Sequence, residues 1–181
     1  TPQTSTDNII MGNQDNDGYS LELVGGVPTW VTAGAGDGTC TAVDYTNPQI
    51  RYLGSQNGGL TRADNGFLGD VWGTSLTTPT AGAPFVWTLK MHSTNSSILY
   101  GGFADVYKST NKGDTWTNLN SGAGAIEYIE TFGNNLIVIG ETSVRKSSND
   151  GSTWTTVIQP EAGAKMNSVS LNQNNTNILY A

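Results

Sequence analysis

Three observations predict an all-β fold built from repeated four-stranded units. The turn motif KSTNKGDTW at Lys108–Trp116 returns as KSSNDGSTW at Lys146–Trp154. Tryptophans and small residues recur with a period near forty residues. No window keeps an apolar i, i+3, i+4, i+7 rhythm for three turns, whereas Gly, Asn, Thr and Ser, which suit strands and polar turns better than helices, are abundant.

The period comes from two markers. The residue after each apolar run is Gly12, Gly54, Gly101, Gly140 and Ala181, at steps of 42, 47, 39 and 41 residues. Trp30, Trp72, Trp116 and Trp154 follow at steps of 42, 44 and 38, and Trp87 lies outside the series. Such a period, with several short strand patterns in each, predicts β-propeller blades of four antiparallel strands. The repeats run approximately over residues 1–33, 34–78, 79–120 and 121–160, with the start of a fifth at 161–181.

Each unit parses into four strands. The third reads Phe85–Met91, Ile98–Phe103, Val106–Ser109 and Thr115–Leu119. The fourth reads Ala125–Phe132, Leu136–Gly140, Ser143–Ser147 and Thr153–Ile158. Alternation supports them, as where Ile126, Tyr128 and Phe132 are set against Glu127 and Glu130.

The motif S-x-N-x-G-x-T-W, the box, then falls between the third and fourth strands as a hairpin turn. Asn111 and Asn149 are expected to bond the backbone two residues on. Gly113 and Gly151 supply the positive φ, and Ser109 and Ser147 close a second local bond. Thr115, Trp116, Thr153 and Trp154 begin the next strand, each indole packing beneath the turn or against the adjacent blade. These residues are expected to be structural.

The box resembles the Asp-box, or BNR repeat, of sialidases, xyloglucanases and sortilin-type propellers, with Asn111 and Asn149 where that family most often has aspartate. GNQDNDG at Gly12–Gly18 and GAGDGTCTAVDYTNPQIRYLGSQNGGLTRADNG at Gly34–Gly66 resemble stretches of large secreted bacterial BNR-repeat proteins. The resemblance implies a ten-bladed, sortilin-like group and an extracellular or cell-surface location. The second unit departs by placing Arg62 at the serine while keeping Asp64, Asn65 and Gly66. The first replaces the box with GGVPTW.

Both ends carry the same strand, NIIMG and NILYA, where ring closure needs complementary ones. The chain therefore reads as part of a larger, seven- to ten-bladed propeller, the remaining blades being partners from the parent chain. The alternative is a compact four-bladed ring with one strand displaced. Thr1 reads as the start of a processed or trimmed chain.

Composition removes several functions. The net charge is −7, with only eight Lys and Arg. That leaves no basic patch for nucleic acid or an anionic membrane. The longest apolar run falls far short of a membrane span. Cys40 alone permits no internal disulfide and reads as a small buried hydrophobe. With His92 it cannot form a zinc site. His92 sits among the strand residues of LKMHST with no nucleophile elbow, which argues against a Ser-His-Asp triad. Arg51, Arg62 and Arg145 do not make a sialidase's arginine cluster.

The loops between second and third strands, and those leading into the next blade, share one face. The expected ligand contacts are Gln14, Asp15, Asn16, Asp37, Gln56 and Asn57, with Phe103 or Tyr19 as a stacking surface, and Phe103–Asp105 and Glu141-Thr142 at the same level. A glycan or protein ligand fits this face. A sharper reading pairs Asp15 with Asp37 as acid and base for glycoside hydrolysis. The plainer reading is that Asp and Asn beside Gly make tight turns. No cofactor is expected. Asp15, Asn16 and Asp17 could offer oxygens to calcium, but the later bidentate glutamate of an EF-hand loop is missing. Three functions follow: a non-catalytic binding or scaffolding module, a fragment of a secreted glycoside hydrolase, or a structural adhesion protein of bacterium or phage. Asn95-Ser96-Ser97 and Asn174-Asn175-Thr176 have the form of glycosylation sequons.

Overall fold

The structure, a computed structural model, describes residues 9–34, 36–68, 73–159, 161, 166, 168–172, 174–175 and 179–180. Thr1, Trp72 and Ala181 lie outside the described residues.

The described residues form five antiparallel sheets in chain order. The first blade holds β1 (Ile10–Gly12), β2 (Gly18–Val24) and β3 (Val27–Gly34). The second holds β4 (Cys40–Val43), β5 (Arg51–Gly54), β6 (Leu60–Ala63) and β7 (Thr74–Leu76). The third holds β8 (Leu89–Met91), β9 (Leu99–Gly102), β10 (Val106–Ser109) and β11 (Thr117–Asn118). The fourth holds β12 (Ile126–Phe132), β13 (Asn135–Gly140), β14 (Val144–Ser147) and β15 (Thr155–Ile158). The last sheet pairs β16 (Ser170–Leu171) with β17 (Leu179–Tyr180). Four strands per unit thus hold for three blades. The first shows three strands and the last two among the described residues.

The sheets stack side by side. β4 meets β8, β8 meets β12, and β12 meets β16, so first strands share an inner edge and fourth strands lie outermost. Each core lies between two blades. On β13, Leu136 and Val138 face the third blade's Tyr100 and Val106, while Ile137 and Ile139 face Val169 and Leu171 of the last sheet. On β9, Leu99 packs against the second blade and Tyr100 against the fourth. Both faces of a second strand are therefore buried, which is why LIVIG reads as a continuous apolar run instead of alternating.

Register corrects two sequence alignments. Gly54 lies opposite Leu60 and Gly102 opposite Val106, so Gly102, not Gly101, is the counterpart of Gly54. The counterpart in the fourth blade is Ile139, opposite Val144. Bends of different length between second and third strands shift the marker. Similarly, Arg51 pairs with Ala63, Leu99 with Ser109 and Leu136 with Ser147, which puts Ala63, not Arg62, at the box serine position. Arg62 matches Lys108 and Lys146.

Ala63 has no hydroxyl to organise its turn, and the preceding blade substitutes. The buried carboxylate of Glu22 accepts the Phe67 N–H at 3.0 Å, at the position where Gly113 N–H binds Ser109 Oγ at 2.8 Å. The same oxygen accepts from Ser20 Oγ and from Arg51 NH1, both at 2.8 Å. Arg51 also donates to Ser20 Oγ, Leu21 O and Pro48 O. The side chains of Arg51 and Glu22 are 2% and 4% exposed, so this pair is a closed polar core between the first two blades. Removing one partner strands the other charge. Arg51→Met is expected to lower unfolding free energy by about 3–5 kcal/mol, measured by urea denaturation, whereas Thr117→Met, at an exposed position on β11, changes it by less than about 1 kcal/mol.

Candidate functional site

The two boxes fold alike. Ser109 Oγ donates to Asn111 Oδ1 at 2.9 Å and accepts from the N–H of Asn111 and of Gly113, at 3.3 and 2.8 Å. Asn111 Oδ1 accepts the Thr115 N–H at 3.0 Å, and Asn111 Nδ2 donates to Thr115 Oγ1 at 2.9 Å. Ser147, Asn149, Gly151 and Thr153 repeat every bond. The asparagine thus reaches the backbone four residues on, not two, and the serine makes the shorter link. Gly113 and Gly151 have φ of 91° and 86°, and Lys112 and Asp150 before them are also left-handed, at 59° and 62°. A Cβ on Gly151 would come within 2.4 Å of Leu119 in the preceding blade. Trp116 Nε1 donates to Gly113 O of its own turn at 2.9 Å, and Trp154 Nε1 to Leu119 O across the joint at 3.0 Å. Trp30, with no box above it, is 46% exposed.

The turns between first and second strands lie at the box end, and they pair with the boxes. Asp44 Oδ1 caps its turn by accepting from Thr46 N–H, Thr46 Oγ1 and Asn47 N–H. Its Oδ2 lies 3.9 Å from Lys112 Nζ in the next blade's box. His92 occupies the same place one blade later. It is not within a strand but directly after β8, where its Nδ1 accepts the Thr94 N–H at 3.1 Å. Its Nε2 lies 3.9 Å from Asp150, the residue equivalent to Lys112. Third-strand cations complete both joints. Arg62 donates to Lys112 O and Asp114 Oδ1, at 2.8 and 2.7 Å, and Lys108 and Tyr100 both donate to Asp150.

Burial pushes the Asp150 carboxyl up, but bonds from Lys108 and Tyr100 and the charges of Lys108 and His92 outweigh it and hold it below the usual range. For Asp44, burial is likewise outweighed by its bonds from Thr46, Ser96 and Asn47. Cys40 lies beside the Trp87 cluster, and burial pushes its thiol up to about 12.

On the opposite end the expected polar loops do meet. Asp37 Oδ1 accepts the Asp15 N–H at 2.7 Å, Asp17 Oδ1 the Gly36 N–H at 2.9 Å, and Gln56 Oε1 the Asp37 N–H at 2.9 Å. The loop entering the second blade is thus pinned from both blades that it joins. Asp15, Asp17 and Asn57 are left-handed, at φ of 59°, 56° and 56°. Gln14, Asp15, Asn16 and Asn57 are exposed. Asn16 Nδ2 donates to Gln14 O at 3.2 Å. Asp105 repeats the clamp two joints on, accepting from Ser121 Oγ and from the Ser121 N–H. Thr142 Oγ1 donates to Ala123 O of that same loop at 3.0 Å, from the fourth blade's side. Tyr19 is partly buried on β2.

Phe103 is a correction. It is 0% exposed, stacked on Trp87 with centroids 5.1 Å apart and held edge-on by Tyr107 and Trp116, so no face remains for a ligand. Trp87, outside the tryptophan series, was missed as a site residue. Its Nε1 donates to Ser55 O at 2.7 Å and props the loop bearing Gln56 and Asn57. For calcium, Asp17 Oδ1 is already engaged, and the described residues hold no group of three or more His, Cys, Asp or Glu able to take a metal ion.

Two predictions follow from the box end. Because Asp44 and Asp150 have depressed folded-state values, their stabilisation is present above about pH 4 and lost as pH falls through those values. Urea midpoints should therefore fall below pH 4, and less steeply in Asp150→Asn. Asn149→Asp keeps the acceptor for Thr153 N–H and can accept from Thr153 Oγ1, so thermal unfolding should register a change under about 1 kcal/mol. Asn149→Ala loses about 1–3 kcal/mol.

No family model matches the chain, and no curated protein sequence does. Solved structures share its fold. The GH74 xyloglucanase of Xanthomonas campestris superposes with a TM-score of 0.63 and 17% identity over 88% of this chain and 30% of that one. The GH74 enzyme of Niastella koreensis gives 0.67 and 18%, over 96% and 31%. YCF48 bound to D1 peptide gives 0.51 and 13%, over 74% and 44%. The chain spans under a third of the length of either GH74 enzyme and under half that of YCF48. The fold is that of β-propeller blades.

Proposed function

We propose that this chain is a segment of a secreted Asp-box propeller that binds neutral glycan through the loops at 13–17, 36–38 and 55–57. The supporting observation is the division of labour there. Asp17, Asp37 and Gln56 spend their oxygens on backbone N–H groups and fix the loops. Gln14, Asp15, Asn16 and Asn57 stay exposed on that pinned frame, ready to meet hydroxyls. Two of the similar structures are GH74 enzymes, one a xyloglucanase, and YCF48 carries a peptide, so propellers of this shape serve both ligand classes.

The segment reading draws on the first blade. Ile9 and Met11 are 42% and 38% exposed, yet their counterparts Arg51 and Leu53 are buried by the preceding blade. A further blade of the parent protein covers them in this proposal. The rival reading, a glycoside hydrolase completed elsewhere, rests on Asp15 and Asp37 adjoining.

Calorimetry with xyloglucan oligosaccharides tests the face. Asp15→Gly and Asn57→Gly, which keep the left-handed backbone, should each weaken binding tenfold or more, with thermal stability kept. Binding unchanged in both variants overturns the glycan face, and tight binding of peptides alone transfers it to a protein ligand. Reducing-sugar release from the same oligosaccharides, lost in Asp15→Gly, would establish the hydrolase instead.

A further inference from the structure

The two box indoles meet their joints differently. Trp154 reaches back to Leu119 of the preceding blade. Register makes Leu76 the counterpart of Leu119, because Leu76 lies opposite Leu60 and Leu119 bonds Val106. Trp116 Nε1 instead donates to Gly113 O of its own turn, and Leu76 packs against that same glycine. Beside this indole lies a groove of about 320 Å³, lined by Thr77, Thr78, Pro79, Asp114, Thr115 and Trp116.

We infer that this groove takes one pyranose ring of a neutral glycan. Its volume lies at the small end of ligand sites, about 300–1,000 Å³. The partly exposed indole supplies a flat apolar surface, and Phe103 fixes its plane from the core, edge-on at 83°. Asp114 is 54% exposed, and Arg62 engages Oδ1 at 2.7 Å, so the other oxygen is open to a sugar hydroxyl. Arg62 is shared with Asp64, at 2.9 Å, so the two carboxylates keep one net negative charge, which disfavours an anionic ligand and favours a hydroxyl that donates. Thr78 Oγ1 is committed to Gly58 O at 2.6 Å and stiffens one wall, while Thr77 is exposed and available. A second groove, lined by Lys146, Ser148, Thr153 and Thr155 of the fourth blade, shares only the counterpart of Thr115 with it and has no indole in its lining.

This site is separate from the loop face and does not rest on it. The test is a ¹H–¹⁵N titration with cellotetraose, following the Trp116 indole signal. That signal should shift on binding. Thr77→Lys, which fills the groove from an exposed position, and Asp114→Asn should each weaken the response at least tenfold, while Asp15→Gly leaves it unchanged. Undisturbed signals from the other four indoles report that the variants fold. An unmoved Trp116 signal, an undiminished response in Thr77→Lys, or a shift with an arginine-rich peptide but not with cellotetraose would each overturn the assignment.

Discussion

Everything in this molecule depends on one sheet lying face to face with the next. A four-stranded blade has two apolar faces and no helix to cover either, so it is stable only between neighbours. The second strands show the constraint most directly. Leu136 and Val138 belong to one core and Ile137 and Ile139 to another, although they are adjacent in sequence. Glycine enters where even a methyl group would not fit. A Cβ on Gly54 would lie 2.2 Å from Cys40 Sγ, and one on Gly102 2.8 Å from Ile126 of the next blade. Packing this close transmits the position of each sheet to the next.

Polar contacts then fix how far each blade slides along its neighbour. At the box end, Asp44, His92, Arg62 and Lys108 each touch the following turn. At the loop end, Asp17 and Asp105 reach forward to the backbone that enters the next blade. The exposed loop groups are laid over this frame. Side chains that hold the loops are distinct from those left free beside them, and a loop with spare exposed groups on a rigid base is where propellers vary their ligands.

Much of this was legible in the sequence because it is local. The box bonds span two to four residues, so their pattern repeats visibly and located four turn residues and both hairpins correctly. Strand bounds for β10 matched to the residue, and those of β12–β14 within one. What stayed hidden joins distant parts of the chain. Glu22 and Arg51 are 29 residues apart, and neither looks like a core residue alone. Phe103 sat next to polar loop residues and read as surface, because nothing local reveals that Trp87 covers it. The left-handed slots at Lys112 and Asp150 were masked by the glycines that follow. The usable signal was there: one slot in both boxes carries a charge, of opposite sign.

That opposite sign has a consequence for assembly. Asp44 meets Lys112 at one joint, and His92 meets Asp150 at the next. If the fourth blade were to follow the second directly, Asp44 would confront Asp150, and two carboxylates would share a buried corner. Blades that are nearly interchangeable in shape are thereby made unequal in address, and skipping or swapping a repeat is penalised during folding before any apolar surface can favour the mistake.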